Sequence, residues 1–258
     1  MEVLGFGIHG ITAFILVLAR TAGIFTTAPI FGNANVPKMV RIPFAVALAF
    51  VYLPMARYSE VSLELMPFLI VVLKEVLLGI VLGFIVEMMF AAIQSAGSLI
   101  DIQIGFGLAN VFDPVSKQQS GVIARFYFLV SVLVFLLANG HHLLIMGLAD
   151  SYRAIPLGTL SITTQAAWGT LDIFMQFFMA GLKLGAPIVG AIFLTDVALG
   201  ILSRTVPQLN VFIVGFPAKL AVGLFTIAAS MPIAIAIMIR MFQALRADFS
   251  VILKHLTG

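Results

Sequence analysis

Cysteine is absent from this chain and charge is scarce, and each shortage removes a class of function. Without cysteine there is no disulfide framework, no thiolate metal site and no cysteine nucleophile, and nothing reports the redox compartment. Only 10% of the 258 residues are charged, against about 25% in ordinary soluble domains, while 62% are hydrophobic. A chain of that composition cannot cover itself with polar surface, so the question becomes how many segments enter lipid. The charged residues are scattered singly, without the basic stripe that follows a nucleic-acid backbone, and no nucleic-acid partner is expected. The first basic residue is Arg20, so the positive leader of a signal peptide is missing and the first apolar stretch is expected to stay in the mature protein. Nucleophile elbows, His-Glu-x-x-His, phosphate loops and aspartate clusters for divalent metal are all missing too. No catalytic, cofactor-binding or metal-binding residues are therefore expected.

What is present is a series of apolar runs, and crossing hydrocarbon takes about 20 such residues in a helix. Phe126 to Ala149 and Leu220 to Ile239 are the clearest, and both read as long apolar helices. Val3 to Ala19, Ile42 to Ala56, Leu65 to Met89 and Ile173 to Leu194 are shorter or interrupted, which gives a count of six. Several carry charge: Lys74, Glu75 and Glu87 in one, Lys183 in another, with Asp196 just beyond. An ionisable group at the bilayer centre costs roughly 3 kcal/mol, so these side chains are expected to face protein rather than lipid. Lys and Arg divide almost evenly between the two sides of a six-span topology, and the positive-inside rule therefore assigns no orientation.

Pro29, Pro43, Pro54, Pro187, Pro217 and Pro232 lie in apolar stretches, where proline removes a backbone donor and kinks or ends a helix. The fold expected is an all-α membrane protein of kinked and broken apolar helices. Gly79/Gly83 and Gly181/Gly185 have the spacing of close helix contacts, but with 22 glycines such pairs also arise by chance.

The stretch Asp101 to Pro114 is the most informative. Glycines flank Phe106, Asp113-Pro114 is a turn signal, and Phe106, Leu108, Val111 and Phe112 are too apolar to leave in water. Such a loop either plugs an opening, packs against a partner, or folds onto its own bundle. Its likeness to a potassium-channel filter fails for want of the filter threonine. His141 and His142 are adjacent, hence about 100° apart on a helix and poor joint metal ligands; a helix end suits them better. The last third reads as two apolar helices joined by Thr205 to Asn210. There, Asp196 and Arg204 are two turns apart, placed either to pair with partner charges or to snorkel toward an interface.

Taken in order, a set of residues resembles the FliR family of flagellar export proteins, whose counterpart in virulence secretion is SctT. The set starts with Arg20, Gly23, Pro29, Phe31, Gly32, Pro37 and Arg41, and continues with Lys74-Glu75, Gly79 and Gly83. Ala96-Gly97, Ile100-Asp101, Gln103, Gly105, Asp113-Pro114 and Asn139-Gly140-His141-His142 follow. Ala186-Pro187, Asp196, Leu199-Gly200, Arg204, Pro207-Gln208, Asn210, Phe212, Phe216-Pro217 and Lys219 complete it. The histidine pair and Phe216-Pro217 resemble flagellar members more than injectisome ones.

The resemblance implies a FliP-like helical module over residues 1–165 and a FliQ-like helical hairpin over 166–258, built into a helical hetero-oligomeric pore. It implies FliP- and FliQ-like partners, associated FlhB- and FlhA-like proteins, unfolded export substrates, and a place in the bacterial inner membrane at the flagellar basal body, projecting above the membrane plane. It also implies a pore plug formed by Gly105, Phe106, Gly107, Leu108, Asn110, Val111 and Phe112. Arg20, Arg41, Lys74, Glu75, Glu87, Asp101, Asp196, Arg204 and Lys219 are expected to serve subunit packing or charge pairing. An injectisome subunit, a self-contained channel or transporter, and a membrane-embedded enzyme using Lys74, Glu75 and Glu87 are the competing readings.

Overall fold

The computed structural model describes residues 8–29, 32, 37–57, 64–106, 121–161, 163–208 and 210–256. Every regular element among them is helical: α1 (Ile8–Thr27), α2 (Lys38–Tyr52) with a short 3-10 turn (Leu53–Met55), α3 (Leu65–Ile104), α4 (Val122–Leu137), α5 (Gly140–Ala154), α6 (Thr164–Thr205) and α7 (Val211–Leu256). Long straight-chain and branched apolar side chains with no backbone competitor favour this outcome, because in hydrocarbon a helix satisfies its own amides and carbonyls. Five described helices are long and apolar enough to cross a membrane, or six if α4 and α5 count as one interrupted span.

Three helices far exceed one crossing. α3, α6 and α7 have 40, 42 and 46 residues, hence lengths of roughly 60 to 70 Å, about twice the hydrocarbon thickness. The apolar run ending at Met89 is thus only part of α3.

Two expectations are corrected. The run Phe126 to Ala149 is not one helix: it breaks at Ala138–Asn139, where Asn139 adopts left-handed backbone angles (φ 57, ψ 29). The residue type fits, since asparagine is among the few non-glycine residues that tolerate this conformation. Prolines break fewer helices than anticipated. Pro43, Pro187, Pro217 and Pro232 all lie inside continuous helices, because each removes a single ladder bond while the flanking turns keep theirs. Pro29 and Pro54 lie just past the ends of α1 and α2.

The chain divides into two compact units. The first comprises residues 1–88, 139–175 and 243–258. There Gly79 and Gly83 of α3 lie against the backbone of α1: a Cβ at Gly79 would overlap the Arg20 carbonyl, and one at Gly23 would come within 2.5 Å of Val76 O. The glycine pair is therefore a true helix crossing. Val17, Arg20, Thr21 and Ile24 on α1, Leu78, Leu82 and Ile85 on α3, and Leu144, Leu148 and Tyr152 on α5 are buried at three- and four-residue spacings.

The second unit comprises residues 89–138 and 176–242. Phe90 sits at the centre of an aromatic cluster, with ring centroids 5.5 Å from both Phe135 and Phe242. Gly181 lies on the backbone of Ala92, a close helix approach like that at Gly79. The α6 and α7 segments run antiparallel, as the pairings of Ile192 with Gly223 and of Asp196 with Lys219 show. The two apolar helices read from the last third are those α6 and α7 form.

Candidate functional site

In the first unit the charged residues of α1 and α3 meet. Arg20, wholly buried, donates from Nε to Glu75 Oε2 at 2.6 Å, and Glu75 is equally buried. Its Nη1 reaches the Ser151 carbonyl at 2.9 Å, and Nη1 and Nη2 reach the Ile155 carbonyl at 3.2 and 3.1 Å. The guanidinium therefore caps the carbonyl end of α5 with positive charge, where the helix dipole favours it. The Tyr152 ring lies 4.6 Å beneath the guanidinium carbon. The other carboxylate oxygen of Glu75 accepts the Gly158 amide at 2.8 Å, and Gly158 has φ 84 in the turn after α5. Tyr152 shares a 2.9 Å hydrogen bond with Thr21, and Tyr52 donates to the Ile145 carbonyl at 2.9 Å. Arg20 and Glu75 thus pair with each other within the chain.

The three residues of the membrane-embedded enzyme reading stand in different surroundings. Glu75 is sealed, Lys74 is half-buried and Glu87 is exposed on α3. Arg41 is half-buried on α2. Among the described residues, no group of three or more His, Cys, Asp or Glu side chains gathers as a metal site would need.

The second unit holds the base of the connection between α3 and α4. Asp101, in the last turn of α3 and 4% exposed, accepts the Ile123 amide at 2.9 Å and the Ala124 amide at 2.8 Å. Those are two of the amides that the start of α4 leaves without intrahelical partners. Gly105 and Phe106 both donate their amides to the Asp101 carbonyl, at 3.1 and 2.9 Å. Gly105 has φ 105, which glycine adopts without strain. The Phe106 ring meets the edge of Phe216 on α7, with centroids 6.1 Å apart. Gly107, Leu108, Asn110, Val111 and Phe112 lie outside the described residues.

Asp196 and Lys219 pair at 2.5 Å across α6 and α7, both partly exposed. Asp196 therefore meets a charge of its own chain, while Arg204, two turns on, is exposed in the last turn of α6. Sequence reading missed Ser151, Tyr152 and Gly158 around Arg20, and the roles of Gly121 and Phe216 near Asp101. Only the Gly158 turn left a local signal, through Pro156.

Comparison with known proteins supplies what this geometry leaves unspecified. Residues 11–245 match the family described as bacterial export proteins, family 1. The chain is 39% identical over 235 residues to the flagellar biosynthetic protein FliR of Bacillus subtilis, covering 90% of each chain. It is 34% identical to the FliR of Escherichia coli, covering 84% of this chain and 83% of that one. The FliR of Aquifex aeolicus is 30% identical, with 89% of each chain covered.

Proposed function

Because the chain belongs to the bacterial export proteins, family 1, which includes the flagellar biosynthetic proteins named FliR, we propose that it is a structural and gating subunit of a flagellar type III protein-export gate. It forms, with FliP- and FliQ-like subunits, the pore through which unfolded flagellar proteins leave the cell. FlhB- and FlhA-like proteins associate with that core at the flagellar basal body in the inner membrane. The chain itself performs no chemistry, and the energy for export enters elsewhere in the machine.

The observation that carries this reading is the family match over 11–245, joined by relatives that align along nearly the whole length. The structure adds support of a physical kind. Helices of 40 to 46 residues outreach a bilayer by about twofold, as expected of a subunit whose helices project above the membrane plane. The antiparallel α6 and α7 suit a FliQ-like hairpin over 166–258, following a FliP-like module over 1–165. Gating falls to the apolar connection that starts at Gly105: Phe106, Leu108, Val111 and Phe112, with Gly107 and Asn110, seal the passage to ions and yield to an incoming chain. The flagellar reading is preferred to the injectisome one because the relatives above are flagellar proteins.

The test replaces residues 105–110 with a short polar linker in the native genetic setting. The altered chain is expected to co-purify with its FliP- and FliQ-like partners while the membrane leaks small ions. Unchanged conductance in a correctly assembled variant contradicts gating. Normal secretion of flagellar proteins by a strain lacking the chain contradicts the export role altogether.

A further inference from the structure

We infer that Asp101 is the positioning residue for the gating connection, fixing both of its ends from a single side chain and its own backbone. The inference rests on the gating reading above and adds the part that sets where the connection begins and ends.

One residue terminates one helix and starts the next. The Asp101 carbonyl receives the amides of Gly105 and Phe106, which closes α3. Its carboxylate receives the amides of Ile123 and Ala124, which opens α4. A helix start is usually capped by its own N-cap side chain. Here the N-cap is Gly121, which makes no side-chain hydrogen bond, so the cap is imported from α3 across 22 and 23 residues of chain. The anionic cap also meets the positive end of the α4 dipole.

Sterics reinforce the contact. A Cβ at Gly121 would overlap Asp101 Oδ2, and a Cβ at Gly97 would lie 2.5 Å from Ala124 Cα. Glycine on each side lets the carboxylate reach the amides. Because both carboxylate oxygens are used, asparagine is a poor substitute: it keeps one acceptor and points an NH₂ group at a backbone donor. Losing one charge-assisted bond shifts the ratio of held to released connection by about tenfold or more.

The experiment measures ion leak per assembled complex for the wild type, the 105–110 linker variant, Asp101→Asn, Gly121→Ala and the double variant. Protease cutting within 105–121 is measured alongside on the full chain in membranes. Asp101→Asn and Gly121→Ala are expected to leak several-fold above wild type and less than the linker variant, and the double variant no more than the worse single. An ordinary cap would alter the amount of complex without altering the leak of each one. If the linker leaks while Asp101→Asn and Gly121→Ala seal like wild type, the inference is overturned and the gating reading stands. If the linker itself does not leak, the gating reading falls, and the protease decides the rest: cutting at the wild-type rate in both variants removes the clamp, faster cutting retains it. The same protease measurement applies to any variant that does not assemble.

Discussion

Truncating Arg20 to alanine tests whether the buried network around it holds the first unit together. The change removes the 2.6 Å ion pair to Glu75 and the donors to the Ser151 and Ile155 carbonyls. It leaves the Glu75 carboxylate buried with one partner, the Gly158 amide. Breaking a buried pair from one side costs about 3–5 kcal/mol, a shift of roughly a hundred- to a few thousand-fold in the folded-to-unfolded ratio. Arg20→Lys keeps the charge but loses the planar fork that serves Glu75 and Ile155 together, so it should fall between. Removing both charges, as Arg20→Met with Glu75→Leu, should recover part of the loss, since an apolar pair can replace a buried ion pair at little cost. Recovery should be incomplete. Ser151 O keeps the Ile155 amide at 2.9 Å, but the Ile155 carbonyl and the Gly158 amide lose the partners they have here. The assay is abundance of the full chain in membranes, with the thermal midpoint of the detergent-extracted protein. An Arg20→Ala chain as abundant and heat-resistant as wild type, or a double variant no better than the worse single, refutes the reasoning.

Two further outcomes use the same measurements. Gly79→Ala pushes a Cβ into the Arg20 carbonyl and should destabilise by about 1–3 kcal/mol, whereas Gly200→Ala, with nothing within 4 Å of its Cβ position, should be neutral or gain up to about 1 kcal/mol; equal effects at both sites would discredit the α1–α3 crossing. Asn139→Gly should be tolerated within a few tenths of a kcal/mol and Asn139→Leu should lose about 1–2 kcal/mol, because φ 57 suits glycine and strains leucine; a tolerated leucine means α4 and α5 are one helix.

Apolar content made the helices legible, and it concealed their ends. Hydropathy reports which solvent a segment prefers and says little about where its backbone bends, so α4 and α5 read as one run although Asn139-Gly140 marks their boundary. The same blindness shortened α3, whose last turns carry Gln94, Ser95, Ser98, Asp101 and Gln103 among apolar residues. Thr205 to Asn210 was readable because polar residues and Pro207 coincide there. Asp101 stood out as part of an odd stretch, but its bonds to Ile123 and Ala124 span more than 20 residues, and no local period encodes them. Arg20 and Glu75 are 55 residues apart, and a single sequence offers no rule that joins them. Gly79 and Gly83 occurred at the frequency expected by chance, so only the packing against α1 distinguishes them from background.

The charges fall into two sets with different consequences for assembly. Arg20, Glu75, Asp101, Asp196 and Lys219 find partners inside the chain. Glu87 and Lys183 do not share that shelter: both are exposed, each near the middle of a helix of 40 or 42 residues. Arg204, in the last turn of α6, can carry its charge to an interface, as long basic side chains do at helix ends. A mid-helix glutamate or lysine lies several turns too far from either end for that escape. Facing hydrocarbon at the bilayer centre, each would cost roughly 3 kcal/mol. Either those turns stand outside the hydrocarbon, as the lengths of α3 and α6 permit, or polar protein surface covers them. Either way those turns escape lipid: water or polar protein meets them, and in the proposed export gate neighbouring subunits would supply the polar cover.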